Sequence, residues 1–221
     1  MTGDAVVGPA DARTDAPRRF AATDIPGGRL SIRLTSGRVE LGSTSGASVR
    51  VRATLPRALP DRLRALVPAA LRFPRYRWGK DSLLIRARRA RLQIDLPPGI
   101  GATVKLDRGE ITSWGAGGEL DLVVRAGGVT CRELRASVVN VRAPNVSLHF
   151  AAAPVRVEVD ADRVVVALPA GAYAVSAPNA SEITVSQDEA AACVVIVRAA
   201  QARVLAAANP LRLTGEDGAG S

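Results

Sequence analysis

From Leu120 onward, apolar residues return in short bursts that begin at Leu120, Val129, Val138, Val146, Val155, Val164 and Tyr173, a new start every eight or nine residues. Within each burst apolar and polar positions alternate, as they do where successive side chains of a strand point to opposite faces. Two strands make one period of about 17 residues. The corners between them repeat as well. Ala126-Gly127-Gly128-Val129, Ala143-Pro144-Asn145-Val146, Ala161-Asp162-Arg163-Val164 and Ala177-Pro178-Asn179-Ala180 take equivalent places, and Gly, Asn and Pro are residues suited to tight changes of direction.

Aligned on these corners, Leu122, Val139, Val157 and Tyr173 fall in one inward column, and Val124, Val141, Val159 and Val175 in a second. Between them stands an outward column of Arg125, Arg142, Asp160 and Ser176, which puts Arg142 and Asp160 one rung apart. On the following strand Val129, Val146 and Val164 align, then Cys131, Leu148 and Val166, so that Cys131 belongs to the core. A fixed period with inward aliphatic columns predicts an all-β fold: a single β-solenoid or β-helix-like stack of short parallel strands roughly 4.8 Å apart. The spacing extends back through Val104 and Ile111 and forward through Val194 and Val204. An antiparallel sandwich would give a similar number of strands but leaves the register of the corners unexplained.

Aromatic residues make up only 3% of the chain, so Val, Leu, Ile and Ala must fill that core. No shift of composition divides the folded part, and the expected organisation is a tail over 1–28, one domain over 29–213 and a second tail over 214–221. Residues 55–82 are expected to form an Arg-rich insertion within the domain, helical and then aromatic. Met1 to Phe20 holds no apolar run of leader length, and Ala190 to Val197 is too short to cross a bilayer. These features predict a cytoplasmic protein, with peripheral membrane association left open.

One segment adds a resemblance. Ile94-Asp95-Leu96-Pro97-Pro98-Gly99 is a strand that ends in Leu-Pro-x-Gly, followed by Val104-Lys105-Leu106 and the Gly109-Glu110-Ile111 corner. Leu168-Pro169-Ala170-Gly171 repeats the ending. Over about residues 29–54 and 83–213 the chain resembles a bacterial family of unknown function known as "putative adhesins", whose members form β-solenoid-like stacks of short strands. The Arg-rich stretch from Val51 to Arg91 and the Pro-Asn corners depart from the family pattern. The resemblance implies a fold and no particular activity.

Groups for catalysis are sparse. His149, the sole histidine, alternates outward between Leu148 and Phe150, and Cys131 and Cys193 lack metal-ligand or redox spacing. Both cysteines read as small core residues. Glu158, Asp160 and Asp162 could face one side of a strand at a spacing suited to Ca²⁺, but Arg142, Arg156 and Arg163 compete for them, and a salt-bridged outer face is expected. Gly115-Ala116-Gly117-Gly118 precedes a strand pattern rather than a helix, so it reads as a turn and not a phosphate loop. The expectation is no enzyme, with no catalytic residue, metal site, cofactor or small-molecule substrate.

Charge is concentrated in one place. The formal net charge is +9, and residues 50–91 hold twelve Arg and Lys80 against Asp61 and Asp81, a net +11. Leu59, Leu63, Leu66, Val67 and Leu71 recur there at helical spacing, with Pro60 and Asp61 suited to a first turn and Pro68 to a kink or end. Arg72, Phe73, Arg75, Tyr76, Arg77, Trp78 and Lys80 then interleave cations with three of the seven aromatics. Such a mixture suits a polyanion or a partner protein, and it equally suits a cap whose aromatics pack on the stack. The function expected is therefore a structural or protein-interaction module, binding an unknown partner or itself through the ends of the stack. Binding of nucleic acid or an anionic membrane surface through residues 50–91 is the alternative.

Overall fold

Long strands that bend at their midpoints build the first half of the fold. In the computed structural model, which describes residues 17–54, 74–169, 172–187, 194–198, 203–207 and 212–213, the chain runs through β1 (Arg18–Ala21), β2 (Arg29–Ser43), β3 (Ser48–Thr54), β4 (Arg75–Trp78), β5 (Leu83–Leu96), β6 (Gly101–Trp114) and β7 (Glu119–Leu134). Shorter strands follow: β8 (Val138–Arg142), β9 (Asn145–Phe150), β10 (Arg156–Asp160), β11 (Arg163–Leu168), β12 (Ala172–Ser176), β13 (Glu182–Gln187), β14 (Val194–Arg198), β15 (Arg203–Ala207) and β16 (Arg212–Leu213). The expected all-β class is what the chain adopts. Its strands belong to one mixed sheet, and the only helices among the described residues are two single 3-10 turns at Ala22–Asp24 and Pro26–Gly28.

The bend has a chemical cause. Gly37, Gly109 and Gly127 stand in register across parallel β2, β6 and β7, with φ of +139°, +134° and +135°. A side chain there is excluded twice: by the backbone angle, which L-residues rarely adopt, and by space. A Cβ on Gly109 would lie 1.9 Å from the carbonyl oxygen of Gly37, and one on Gly127 1.8 Å from that of Gly109. β2, β6 and β7 are thereby divided into a leading limb before the glycine and a trailing limb after it, and β5 divides at the same level, where Ala90 is registered with Gly37.

Beyond Gly127 the same corner is a break between two strands, β8/β9 and then β10/β11. Hydrogen bonds still cross it from rung to rung: Ala143 N–H donates to Asp160 O at 3.0 Å and Asp162 N–H to Pro144 O at 3.1 Å. Leading limbs pair in the order β7-β8-β10-β12-β14-β16 and trailing limbs in the order β7-β9-β11-β13-β15, all parallel.

Register corrects the sequence alignment in detail. Val129, Val146 and Val164 pair as expected, as do Cys131, Leu148 and Val166. On the leading limb, however, Val139 and Val157 align with Leu120 and Val175, two residues away from Leu122 and Tyr173. A slip of two keeps every side chain on its face, so hydrophobic pattern alone does not detect it. The fourth corner is longer than the others, and Ile183 rather than Ala180 pairs with Val164.

The N-terminal region departs further. The path through the sheet is β1-β3-β5-β2-β6-β7, so β2 lies between two strands that follow each other in sequence. Antiparallel β3 covers the trailing limb of β5, antiparallel β4 covers its leading limb, and β1 pairs with β3. The tail expected over 1–28 therefore gives way to structure from Arg18, and the strands expected to be short are 14 to 16 residues long in β2, β5, β6 and β7. The helix expected within 59–71 lies outside the described residues, as do Cys193 and the 214–221 tail.

Both limbs feed one core. Leu30, Ile32, Val104 and Leu122 from leading limbs and Val39, Ile94, Ile111 and Cys131 from trailing limbs are completely buried in a single cluster. Each large aliphatic side chain so buried contributes about 1.5–3 kcal/mol, which is why apolar positions recur on both sides of every corner.

Candidate interaction surfaces

Outward positions of the leading limbs form rows across the strands, and one row is uniformly basic. Arg75 of β4 is registered with Arg86 of β5, Arg86 with Arg33 of β2, and Arg33 with Lys105 of β6. All four are exposed. Arg33, Arg86 and Lys105 have no ion-pair partner among the described residues. Like charges directly opposite each other on a sheet destabilise it, so Arg86, Arg33 and Lys105 repel one another along this row.

Of the residues singled out from the sequence, Arg72 and Phe73 lie outside the described residues. The alternation of β4 separates the rest. Arg75 and Arg77 pair with outward Arg86 and Leu84, whereas Tyr76 and Trp78 pair with buried Ile85 and Leu83. Lys80 is exposed in the turn that follows. Tyr76 and Trp78 meet Phe20 of β1, with ring centroids at 5.6 Å and 6.0 Å, and the guanidinium carbon of Arg18 lies 4.6 Å from the Tyr76 ring centroid. This group closes over the β5 end of the core, against which Phe20 and Tyr76 pack. Trp78 keeps 51% of its surface exposed. β4 thus carries Arg75 and Arg77 outward and Tyr76 and Trp78 toward the end of the core.

Farther along, β10 carries the acidic side chains Glu158 and Asp160, and both are paired. Arg142 Nε donates to Asp160 Oδ2 at 2.8 Å, and Asn179 Nδ2 donates to Asp160 Oδ1 at 2.8 Å. The Asn179 hydrogen bond, with help from Arg142, holds the Asp160 carboxyl below the ordinary Asp range against a smaller opposing effect of desolvation. Arg156 Nε donates to Glu158 Oε1 at 2.8 Å. The expected rung between Arg142 and Asp160 is present, and Asp160 and Glu158 are engaged by guanidinium groups. Arg29–Glu119 and Arg38–Glu110 form further ion pairs, across the β2–β7 and β2–β6 limbs respectively.

The two reactive side chains lie as alternation places them. His149 is exposed, between buried Leu148 and Phe150. Cys131 is fully buried, and desolvation pushes its thiol up to about 12, so it stays protonated and a poor nucleophile. Gly115–Gly118 is the turn from β6 to β7, anchored where Gly115 N–H donates to Arg132 O at 3.0 Å.

No family model matches the chain, and no curated protein does. Two solved structures are similar. One, described as a "putative adhesin" from Bacteroides fragilis, has a TM-score of 0.37 at 12% identity and covers 89% of this chain and 94% of its own. The other, described as a "putative cell adhesion protein" from Clostridium sporogenes, has a TM-score of 0.40 at 10% identity and covers 88% of this chain and 98% of its own.

Proposed function

We propose that the parallel ladders are successive coils of a β-solenoid, and that the solenoid is a non-enzymatic interaction module that joins a protein partner or a second copy through one end. The observation that carries this reading is the one-sided pairing of the last parallel strands. Antiparallel β3 and β4 lie over β5 at the first end. At the other, β15 pairs only with β13 and β16 only with β14 among the described residues. A strand with one free side offers a row of backbone donors and acceptors to an incoming strand. Two such ends meeting about a twofold axis give a closed dimer, because an isologous contact occupies the same edge on both copies.

Light scattering from about 1 µM to about 1 mM tests this, since mass action must shift the monomer–dimer balance across that range. Leu205→Lys, at a position registered with Thr184, should return the protein to monomer with its β circular dichroism unchanged. A strict monomer throughout, with no partner recovered by pull-down from the native cell, overturns the reading.

A second reading is favoured by the Arg75–Arg86–Arg33–Lys105 row: the outward leading face binds a polyanion, nucleic acid or an anionic membrane, by charge alone. Support comes from three cations without acidic partners among the described residues and from the absence of large aromatics among their registered row mates. Retention on heparin, duplex DNA or acidic vesicles at low salt is expected. Replacing Arg33, Arg86 and Lys105 with Ser should lower the salt slope on duplex DNA by about 2.7, at roughly 0.9 per phosphate contact. Failure of the parent protein to be retained on all three eliminates it.

A further inference from the structure

Outward positions of the trailing limbs form a different surface. One row runs Asp95–Gly42–Trp114–Arg132 across β5, β2, β6 and β7, and beside it runs Gln93–Glu40–Thr112–Thr130. These residues line a single shallow groove. Trp114 is 52% exposed within it, a large indole set among the polar side chains of Asp95, Gln93, Glu40, Thr112, Thr130 and Arg132. Gly42 leaves the space beside the indole empty of side chain, and a Cβ there would stand 3.1 Å from Asp95 Oδ1.

The polar groups around the indole are held in place. Arg91 donates to Glu40 Oε1 from Nε at 3.0 Å and from Nη2 at 2.6 Å. Thr112 and Thr130 project from the interior of a ladder registered on both sides. At the far rim the β7 strand bulges between Cys131 and Leu134, with Glu133 at φ 51°. Bulges of this kind re-aim neighbouring side chains at functional edges. Arg132 immediately precedes Glu133 and has no ion-pair partner among the described residues.

We propose that this groove is a carbohydrate-binding site, in which the face of a pyranose ring stacks on Trp114 while its hydroxyls bond to Asp95, Gln93 and Arg132. A pyranose with equatorial substituents presents flat C–H faces bounded by hydroxyls. Its apolar face matches a partly exposed indole, and its hydroxyls match planar carboxylate, amide and guanidinium groups, each able to exchange two hydrogen bonds with neighbouring hydroxyls. Arg50 and Arg52 of β3 are registered with Asp95 and Gln93, so with Arg132 and Arg91 they outnumber Asp95 and Glu40; recognition of a saccharide here rests on stacking and hydroxyl bonds, not on charge. The groove runs across the strands, and β3 continues its rows beyond Asp95 and Gln93, which suits a segment of a β-linked oligosaccharide rather than a single enclosed sugar.

Cellotetraose and chitotetraose, both built of all-equatorial β-linked units, are the probes. Titration calorimetry and saturation-transfer NMR on the full chain should show saturable millimolar binding of at least one, as expected of a shallow site that stacks one ring. Trp114→Ala should weaken it about tenfold or more, while Trp114→Phe retains part of it. Arg132→Ala should weaken it without altering the spectrum of the fold. Trp78→Phe leaves Trp114 as the only indole, and its fluorescence should then change with the same midpoint. Absence of binding by both saccharides to the folded protein overturns the proposal, as does binding that persists unchanged in Trp114→Ala. The readout is independent of oligomeric state, so it stands or falls apart from the open-end reading.

Discussion

Replacing Gly109 with Ala tests the physical basis of the corner directly. Gly109 is enclosed between Gly37 and Gly127 in the glycine column. Its φ of +134° belongs to a region that costs an L-residue about 1–3 kcal/mol. The new Cβ would also sit 1.9 Å from the Gly37 carbonyl oxygen, a backbone atom that no rotamer change can move aside. Forced displacement of close-packed structure adds about 1–3 kcal/mol, for a total near 3 kcal/mol or more. Against a typical domain stability of about 5–15 kcal/mol this is large, and at about 2–4 °C per kcal/mol for a domain of this size it lowers Tm by roughly 6–12 °C. Thermal and urea denaturation followed by circular dichroism measure it. Gly117→Ala is the control, since a Cβ there meets nothing within 4 Å and the backbone angle is unexceptional. If Gly109→Ala and Gly117→Ala fall within about 0.5 kcal/mol of each other, the range of ordinary surface changes, the glycine column is not what forms the bend.

Three further outcomes follow from individual side chains. The Asp160 carboxyl, titrated by NMR, should show a midpoint below the ordinary Asp value, and Asn179→Ala and Arg142→Ala should each raise it. Because its folded value is depressed, Asp160 contributes stability above the unfolded Asp pKa that is lost as pH falls through the folded one; Asp160→Asn should flatten the acid limb of stability there, and an unchanged limb refutes the linkage. In a Cys193→Ser background, Cys131 should resist an aromatic disulfide reagent at pH 8 and react only at the rate of unfolding, whereas prompt labelling of native protein contradicts its burial. Leu122→Ala, at a completely buried leading-limb position, should cost about 2–5 kcal/mol, while Val165→Ala, on an exposed outward position, should be nearly neutral by the same denaturation assay.

Periodicity made the C-terminal half legible because each rung there repeats its neighbour along a continuous chain. Val129, Val146 and Val164, the burial of Cys131 and the Arg142–Asp160 rung follow from alternation and spacing alone. Two features carried no such signal. A two-residue slip on the leading limb preserves inside and outside, so Leu122 and Val139 look as well matched as Leu120 and Val139. Likewise, the pairing of β2 with both β5 and β6 depends on a chain excursion after Thr54, and local pattern contains no record of it. The basic row was hidden for the same reason. Arg33 and Arg86 are 53 positions apart, and only the β5-β2-β6 order brings them together. Trp114 carried no motif; the strand-by-strand register that sets it beside Gly42 and Arg132 is what marks it out. The cations and aromatics of 75–78 were visible as a cluster, and the alternation of β4 sends Arg75 and Arg77 to one side and Tyr76 and Trp78 to the other.

The placement of β2 between β5 and β6 also constrains how the protein is made. During synthesis β2 is complete at Ser43, yet its two neighbours end at Leu96 and Trp114. At about 5–20 residues per second, roughly 4–14 seconds pass before both can flank it. Through that interval a 15-residue strand with two open sides emerges ahead of every parallel partner, and the nearest ladder it can join is assembled from chain still inside or near the ribosome. Once β5, β2 and β6 have met, each later rung adds to the one just before it and closes only a short loop. The nascent chain therefore has a slow, non-local beginning and a fast, sequential end, and β2 is the segment on which a nascent-chain chaperone would be expected to act.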